Sequence, residues 1–410
     1  LIEPTRRVPL SIDLLPASGA WRSGDPLGRR RFVTLPADRV FSLEGGGSLR
    51  GVTVAYETLG TLNGDASNAI LVCHALTGDA NFGGLSKDPH PEDGWWSALI
   101  GPGKAIDTKK WFVVCANVLG GCQGTTGPSS TNPATGERYA STFPVVTIRD
   151  TVRTQVVVAD ELGVARWHAV IGGSMGGMQA LEWAIMYPDR VGSLVAIATC
   201  VAASPWQVGY SSVQRNAIIV DPKWNGGEYY EAQPGEGPHA GLALARASAQ
   251  ISYRSDAAFE EKFDRRTAET MDNGFSPWQR FEVESYLDYH GAKLCRRFDA
   301  NSYLALSKAM DLHDIGRGRG GIDRALSRIT APVLTVSIDS DTLYPPHQQE
   351  RIRDAVSANG GTARHLQVRS DAGHDGFLVT DTVSLFAFHV KNFLKDPTAQ
   401  PAPSQVSLKP

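Results

Sequence analysis

A long uncharged apolar run is missing from this chain. One long uncharged stretch, Val191 to Gln214, is broken by Ser204, Pro205, Gln207 and Gly209. Its apolar part, Leu194 to Ala203, falls far short of the roughly 20 residues that a membrane-spanning helix needs. An excess of charge of either sign is missing too: 40 Lys and Arg face 43 Asp and Glu, for a formal net charge of -3. That excludes the broad basic field on which nucleic acid or an anionic membrane depends. The densest basic cluster, Arg29-Arg30-Arg31, reads as a solvated surface. Cysteines are few, odd in number and without CxxC spacing: Cys73, Cys115, Cys122, Cys200 and Cys295. They make neither a disulfide framework nor a zinc ribbon. Several lie in apolar runs, where cysteine serves as a small buried hydrophobe, so a reducing cytoplasm is the expected compartment. No signal-peptide pattern follows Leu1, and no repeat of solenoid period is visible. P-loop, HExxH and EF-hand spacings are absent and the histidines do not pair at ligand spacing, so no metal is expected.

What is present is an ordinary globular composition over 410 residues, 42% hydrophobic and 20% charged, enough for a sizeable core. Short apolar runs recur at Val52–Thr58, Ala69–Cys73, Phe112–Ala116, His168–Ile171, Val191–Ala198, Val333–Ile338 and His365–Arg369. Between several of them lie helical patterns, at Ile148–Leu162, Met178–Tyr187, Pro346–Val356 and Val383–Leu394. Apolar strands alternating with helices predict an α/β fold with a mostly parallel sheet covered on both faces. From about Ser204 to Arg328 the strand signal fades and helical stretches such as Gly241–Tyr253 and Ser302–Asp311 take over. The expected division is an N-terminal extension with the first strands over 1–50 and a first core part over 51–203. A helical insertion over 204–328, a second core part over 329–396 and a disordered Pro-, Gln- and Ser-rich tail over 397–410 follow.

Gly172-Gly173-Ser174-Met175-Gly176 fits G-x-S-x-G where a strand gives way to a helix. Small neighbours let the backbone turn sharply there and leave the Ser174 hydroxyl exposed above the sheet. The helix N-terminus behind it favours negative charge, and the Met175 N–H is positioned to hold an oxyanion. A serine needs a base, and chains built on this elbow run in the order serine, acid, histidine. Of the ten histidines only His374, in Gly373-His374-Asp375-Gly376, is both late and placed after a strand. Two acids follow the preceding strand, Asp339 and Asp341, and pattern alone does not choose between them. The second oxyanion donor comes from an early loop; His74-Ala75-Leu76-Thr77-Gly78 occupies that place, with the Leu76 N–H as candidate. Gly316-Arg317-Gly318-Arg319-Gly320-Gly321 contains G-x-G-x-x-G, but it follows helical pattern rather than a strand, so a dinucleotide loop is not expected.

Several further blocks accompany these: Asn117-Val118-Leu119-Gly120-Gly121-Cys122-Gln123-Gly124, Arg297-Phe298-Asp299-Ala300-Asn301, Asp314-Ile315-Gly316-Arg317, Ser340-Asp341-Thr342-Leu343-Tyr344-Pro345-Pro346 and Gly373-His374-Asp375-Gly376-Phe377-Leu378. With them the chain, over about Val52 to Leu394, resembles the homoserine O-acyltransferase family, mostly homoserine O-acetyltransferases of methionine biosynthesis. The resemblance implies an α/β-hydrolase fold, with a mostly parallel central sheet and an inserted helical lid domain. It implies Asp341 as the acid, Arg246 as the partner of the substrate carboxylate and Asp375 as the carboxylate near its amino group. It implies acetyl-CoA as co-substrate with no bound cofactor, L-homoserine as acceptor, a ping-pong acyl-serine route and a homodimer built through the lid helices. Relatives that use succinyl-CoA, or serine as acceptor, and a serine esterase with water as acceptor, are the alternatives to this reading.

Overall fold

The computed structural model describes residues 12, 14–84, 92–268, 279–399 and 405–407. Parts of the expected extension (1–11 and 13) and of the tail (400–404 and 408–410) lie outside the described residues. Nine strands form the main sheet among the described residues: β1 (Arg31–Thr34), β2 (Thr53–Leu59), β3 (Ala69–Cys73), β4 (Phe112–Ala116), β5 (Ala169–Gly173), β6 (Leu194–Ile197), β7 (Val333–Ile338), β8 (Ala363–Arg369) and β9 (Gln405–Ser407). Their spatial order is β1-β2-β4-β3-β5-β6-β7-β8-β9. The two pairings that involve β2 are antiparallel, with β1 and with β4, and the others are parallel. The mostly parallel α/β architecture expected from the alternating pattern is therefore what the chain adopts.

The apolar runs read as continuous because both faces of these strands are buried. Leu71, Val170, Leu194 and Val333 pack on one side against α1 (Ile148–Glu161), α2 (Met175–Met186) and α9 (Pro346–Ala358). Their neighbours Val72, Ile171 and Val195 pack on the other side against Val383, Phe386 and Val390 of α10 (Thr380–Lys395). Helix α1 starts on a reciprocal cap, in which Thr147 accepts from the Asp150 N–H and Asp150 accepts from the Thr147 N–H; such a pair satisfies two otherwise orphaned donors.

Between β6 and β7 the described residues are helical: α3 (Pro205–Ile219), α4 (His239–Tyr253), α5 (Asp256–Phe263), α6 (Glu282–Cys295), α7 (Ala300–Asp311) and α8 (Ile322–Leu326). A third apolar cluster joins them to the sheet, where Leu242, Ala245, Tyr303 and Leu306 meet Leu76, Met175 and Tyr344. The helices thus roof the strand ends that carry the elbow. No helix among the described residues is long and apolar enough to cross a membrane.

Two segments acquire roles that their letters did not disclose. The arginines of Gly316–Gly321 turn inward: Arg317 pairs with Glu44 at 3.0 Å and Arg319 with the buried Glu182 of α2 at 2.6 Å. Arg149 bridges the same two carboxylates at 2.8 and 3.0 Å. The glycine-rich arginine motif is therefore an ion-pair clamp between the end of the helical region and the core. In the tail, disorder was expected throughout, yet Gln405–Ser407 pair in parallel with β8. The physical reason is Val406, whose side chain packs half-buried against the sheet's apolar cluster.

Candidate active site

The loops after β3, β5, β7 and β8 leave the same edge of the sheet, the carboxyl ends of parallel strands, where α/β sheets hold their ligands. Between β5 and α2 the chain turns on Ser174, whose φ of 57° and ψ of -124° are strained for a residue with a side chain. The turn is possible only because its neighbours are bare. A Cβ on Gly172 would lie 2.1 Å from the Gly176 carbonyl oxygen, and one on Gly176 would lie 2.1 Å from that of Cys73.

His374 reaches this serine from the loop after β8. Its Nε2 stands 2.9 Å from Ser174 Oγ, and its Nδ1 lies 2.7 Å from Asp341 Oδ2. All three side chains are buried. Asp341 is itself aimed, because its Oδ1 accepts the N–H groups of Leu343 and Tyr344 at 2.9 and 2.8 Å. Those bonds leave Oδ2 to the imidazole. Asp339, the other acid after β7, is exposed and accepts the Ser370 N–H at 2.9 Å. The Tyr344 ring stacks on His374 at 4.8 Å and 26°, with Phe377 edge-on at 5.3 Å. Burial pushes the Tyr344 phenol well above its ordinary value, so it stays neutral beside the imidazole.

The Met175 N–H opens α2 and lies outside its hydrogen-bond ladder. Leu76 lies in the loop after β3, the strand next to β5, with Cys73 opposite Gly172 in register. The conformation of that loop is set by a residue that the sequence pattern did not single out, His74. Its Nε2 accepts the Val118 N–H at 3.1 Å, so Nδ1 carries the proton and donates to the Ala75 carbonyl at 2.8 Å. Gly78 N–H donates to the same carbonyl at 2.9 Å. In a trans peptide the N–H points opposite to the C=O, so fixing the Ala75 carbonyl fixes the direction of the Leu76 N–H. Burial lowers the His74 pKa, which keeps the ring neutral and the acceptor available.

Two charged groups share this pocket with the serine. Arg246, on α4, has its guanidinium 3.4 Å from Thr77 Oγ1 and over the Tyr253 ring at 5.5 Å. With its amide oxygen turned toward the arginine, Gln250 accepts from Nε and Nη2 at 3.2 and 2.7 Å. No carboxylate among the described residues lies within 4.0 Å of this cation. Asp375 follows His374 directly, and among the described residues its carboxylate accepts no hydrogen bond. Burial raises the Asp375 pKa, against the pull of Arg246, the His374 ring and Arg254. The space between them is about 60 Å³ and is walled by Leu76, Tyr253, Met310 and Tyr344.

A strained serine on a strand-to-helix turn, bonded through histidine to a buried aspartate above a mostly parallel sheet, defines an enzyme of the α/β-hydrolase fold. The family model described as "alpha/beta hydrolase fold" matches residues 68–381. The homoserine O-acetyltransferase of Thermobifida fusca (strain YX) is 51% identical over 364 residues, which cover 89% of this chain and 94% of that one. A crystal structure of homoserine O-acetyltransferase from Bacillus anthracis aligns with a TM-score of 0.82 at 33% identity, covering 91% of this chain and 99% of that chain. Esterase E22 aligns with a TM-score of 0.80 at 28% identity, covering 89% and 99%. The chain belongs to the homoserine O-acetyltransferase family.

Proposed function

We propose that this enzyme moves an acetyl group from acetyl-CoA to the side-chain hydroxyl of L-homoserine, by way of an acetyl-Ser174 intermediate. The observation that carries the reading is the pairing, in one pocket, of the Ser174–His374–Asp341 chain with a guanidinium and a carboxylate that form no ion pair among the described residues. An α-amino acid has the complementary pair of charges: Arg246 suits its carboxylate and Asp375 its ammonium.

In the first half-reaction His374 Nε2 takes the Ser174 proton while Oγ attacks the thioester carbonyl. The oxyanion that forms is held by the N–H groups of Leu76 and Met175. Collapse breaks the C–S bond, and the departing CoA thiolate takes the proton back from His374. In the second half the homoserine hydroxyl gives its proton to His374 and its oxygen attacks the acetyl-serine carbonyl. Ser174 then leaves with that proton, and O-acetylhomoserine is released. Asp341 keeps the imidazole in the required tautomer and stabilises its charged form.

The acetyl donor is favoured over succinyl by the charge count of the pocket. Arg246 is the only Lys or Arg among the lining residues, and a succinyl tail would compete for it with the acceptor's own carboxylate. Arg246→Ala is expected to lower kcat/KM for homoserine at least a hundredfold. The burst of acetyl-enzyme formed from acetyl-CoA alone should be unchanged, and equal loss in both steps would remove Arg246 from acceptor binding. His74→Phe keeps the bulk and loses both bonds of the loop clamp. It is expected to cut kcat about a hundredfold with little change in either KM, whereas a variant with normal kcat would exclude the clamp.

Water is the competing acceptor, and the likeness to esterase E22 supports that second reading. Against it stand Arg246 and Asp375, since simple esters offer no zwitterion to bind. Trp206, Val213, Leu244, Ile251 and Tyr289 are exposed on α3, α4 and α6. This supports pairing of two copies through the lid helices, which a light-scattering mass of one chain would contradict. The reaction fits a cytoplasmic step of methionine synthesis.

A further inference from the structure

The mechanism leaves a group of cations on α4, α5 and α6 without employment. They gather around the adjoining Tyr286 and His290. Lys262 Nζ lies 4.5 Å from the centre of that ring, and the His290 ring lies 4.4 Å from it. Arg254 ends α4, and its backbone packs against the loop of the catalytic base, since a Cβ on Gly373 would lie 2.7 Å from the Arg254 carbonyl carbon. Lys293 is one turn along α6 from His290 and pairs, among the described residues, with Glu92 at 3.3 Å on the surface.

Counter-charge at this group is sparse among the described residues. Among the described residues, neither Arg254 nor Lys262 has a carboxylate within 4.0 Å. The acids of the neighbouring helices do not fill the gap: Glu282 pairs with Arg266, Asp288 pairs with Arg280, and Asp256, Glu260 and Glu261 form no ion pair among the described residues. The consequence is visible on His290. Burial, together with Arg246, Lys262, Lys293 and Arg254, pushes its pKa down to about 4. Lys262 is lowered by burial and by Arg254. Burial is the larger cause of both shifts; the neighbouring cations add to it, and that part an anion would relieve.

The group is joined to the active site by a chain of side-chain contacts. His374 meets Tyr253 at 5.7 Å, the Arg246 guanidinium lies over Tyr253 at 5.5 Å, and Gln250 links Arg246 to the Tyr286 hydroxyl at 2.9 Å. The other dense basic run, Arg29 to Arg31, offers no such field near the pocket. Arg29 is taken by Glu57 and Asn81, and Arg30 by Gln123.

Resting on the acetyl-CoA reading above, we propose that Arg254, Lys262 and Lys293 form the seat of the donor's nucleotide end. Its diphosphate and ribose phosphate supply there the negative charge that the protein withholds. A space of about 60 Å³ beside Ser174 admits the thioester but not the nucleotide, so the phosphates rest outside the pocket. Phosphates are recognised by clustered cations, and Arg and Lys are the side chains suited to them. The strip is also selective: a donor without phosphates gains nothing from it.

The test compares acetyl-CoA with S-acetylpantetheine, which carries the same thioester and arm without the nucleotide. Lys262→Glu and the double variant Lys262→Glu/Lys293→Glu alter side chains that are not buried, so the fold is not at stake. KM for acetyl-CoA is expected to rise on the order of tenfold in the single variant and further in the double. With kcat unchanged, turnover of S-acetylpantetheine should match wild type. Unchanged KM for acetyl-CoA overturns the proposal, and so does equal loss with both donors, which would place these lysines in the fold or the chemistry. If wild type fails to turn over acetyl-CoA, the donor assignment falls by itself. Calorimetric binding of CoA to wild type and to the double variant then judges the strip separately: no difference in affinity, or no binding to wild type, rejects it.

Discussion

Replacing Ser174 with alanine is expected to lower CoA release by about five to six orders of magnitude, to the residue of catalysis that binding and oxyanion donors alone supply. No acetyl group should become attached to the protein. The reason is local and specific. Ser174 Oγ is the group 2.9 Å from the base, held there by the strained backbone of the strand-to-helix turn. Removing one buried hydroxyl leaves the Gly172 and Gly176 contacts in place, so the variant should fold with unchanged thermal stability or gain slightly from a less polar site. Intact-mass spectrometry after incubation with acetyl-CoA is the readout. A Ser174→Ala protein that still gains one acetyl group on a pocket residue would move the nucleophile elsewhere.

The second large effect is expected at the acid. Asp341→Asn should lower kcat about ten-thousandfold. The Leu343 and Tyr344 N–H groups fix Oδ1 as the acceptor, so the amide of the variant turns its NH₂ toward His374. That NH₂ would meet the Nδ1 side of the ring as a donor, favouring the tautomer with its proton on Nε2, which cannot accept the serine proton. Asp339→Asn changes an exposed side chain that caps the Ser370 N–H and should leave kcat within twofold. The two variants differ by two residues in sequence and by four orders of magnitude in expected effect. Comparable losses in both would mean that the aspartate acts through the charge of the loop rather than through its bond to His374.

The elbow and the sheet were legible because their causes are contiguous in the chain. Five residues carry the Ser174 turn, and doubly buried strands announce themselves as apolar runs. Helix α2 starts at Met175, three residues before the periodicity suggested, because Gly176 and Gly177 hide a helical pattern behind the close packing that they permit. Helix α3 has its cap in plain letters, Ser204 accepting from Gln207 N–H with Pro205 at its first position. Within the expected helical insertion its own bounds are hard to see, since Trp206, Val213 and Ile219 put apolar side chains on its exposed side and blur the stripe that marks a helix.

Side-chain direction is where pattern ran out. Asp339 and Asp341 follow the same strand, and the choice between them came from resemblance; in the structure it rests on two backbone N–H groups beyond the acid. Arg246 looks like any helix arginine until α4 is laid against Thr77, 169 residues away in sequence. His74 gave no signal of its own, because its tautomer is set by Val118, which lies 44 residues on.

Release of CoA from acetyl-CoA, measured with L-homoserine, with L-serine and with no acceptor, tests the central claim most directly. The account predicts sustained release only with homoserine, matched mole for mole by O-acetylhomoserine, and without acceptor no more than a single burst of about one CoA per active site. Sustained release at the same rate without any acceptor would contradict it and make water the acceptor and the chain a hydrolase.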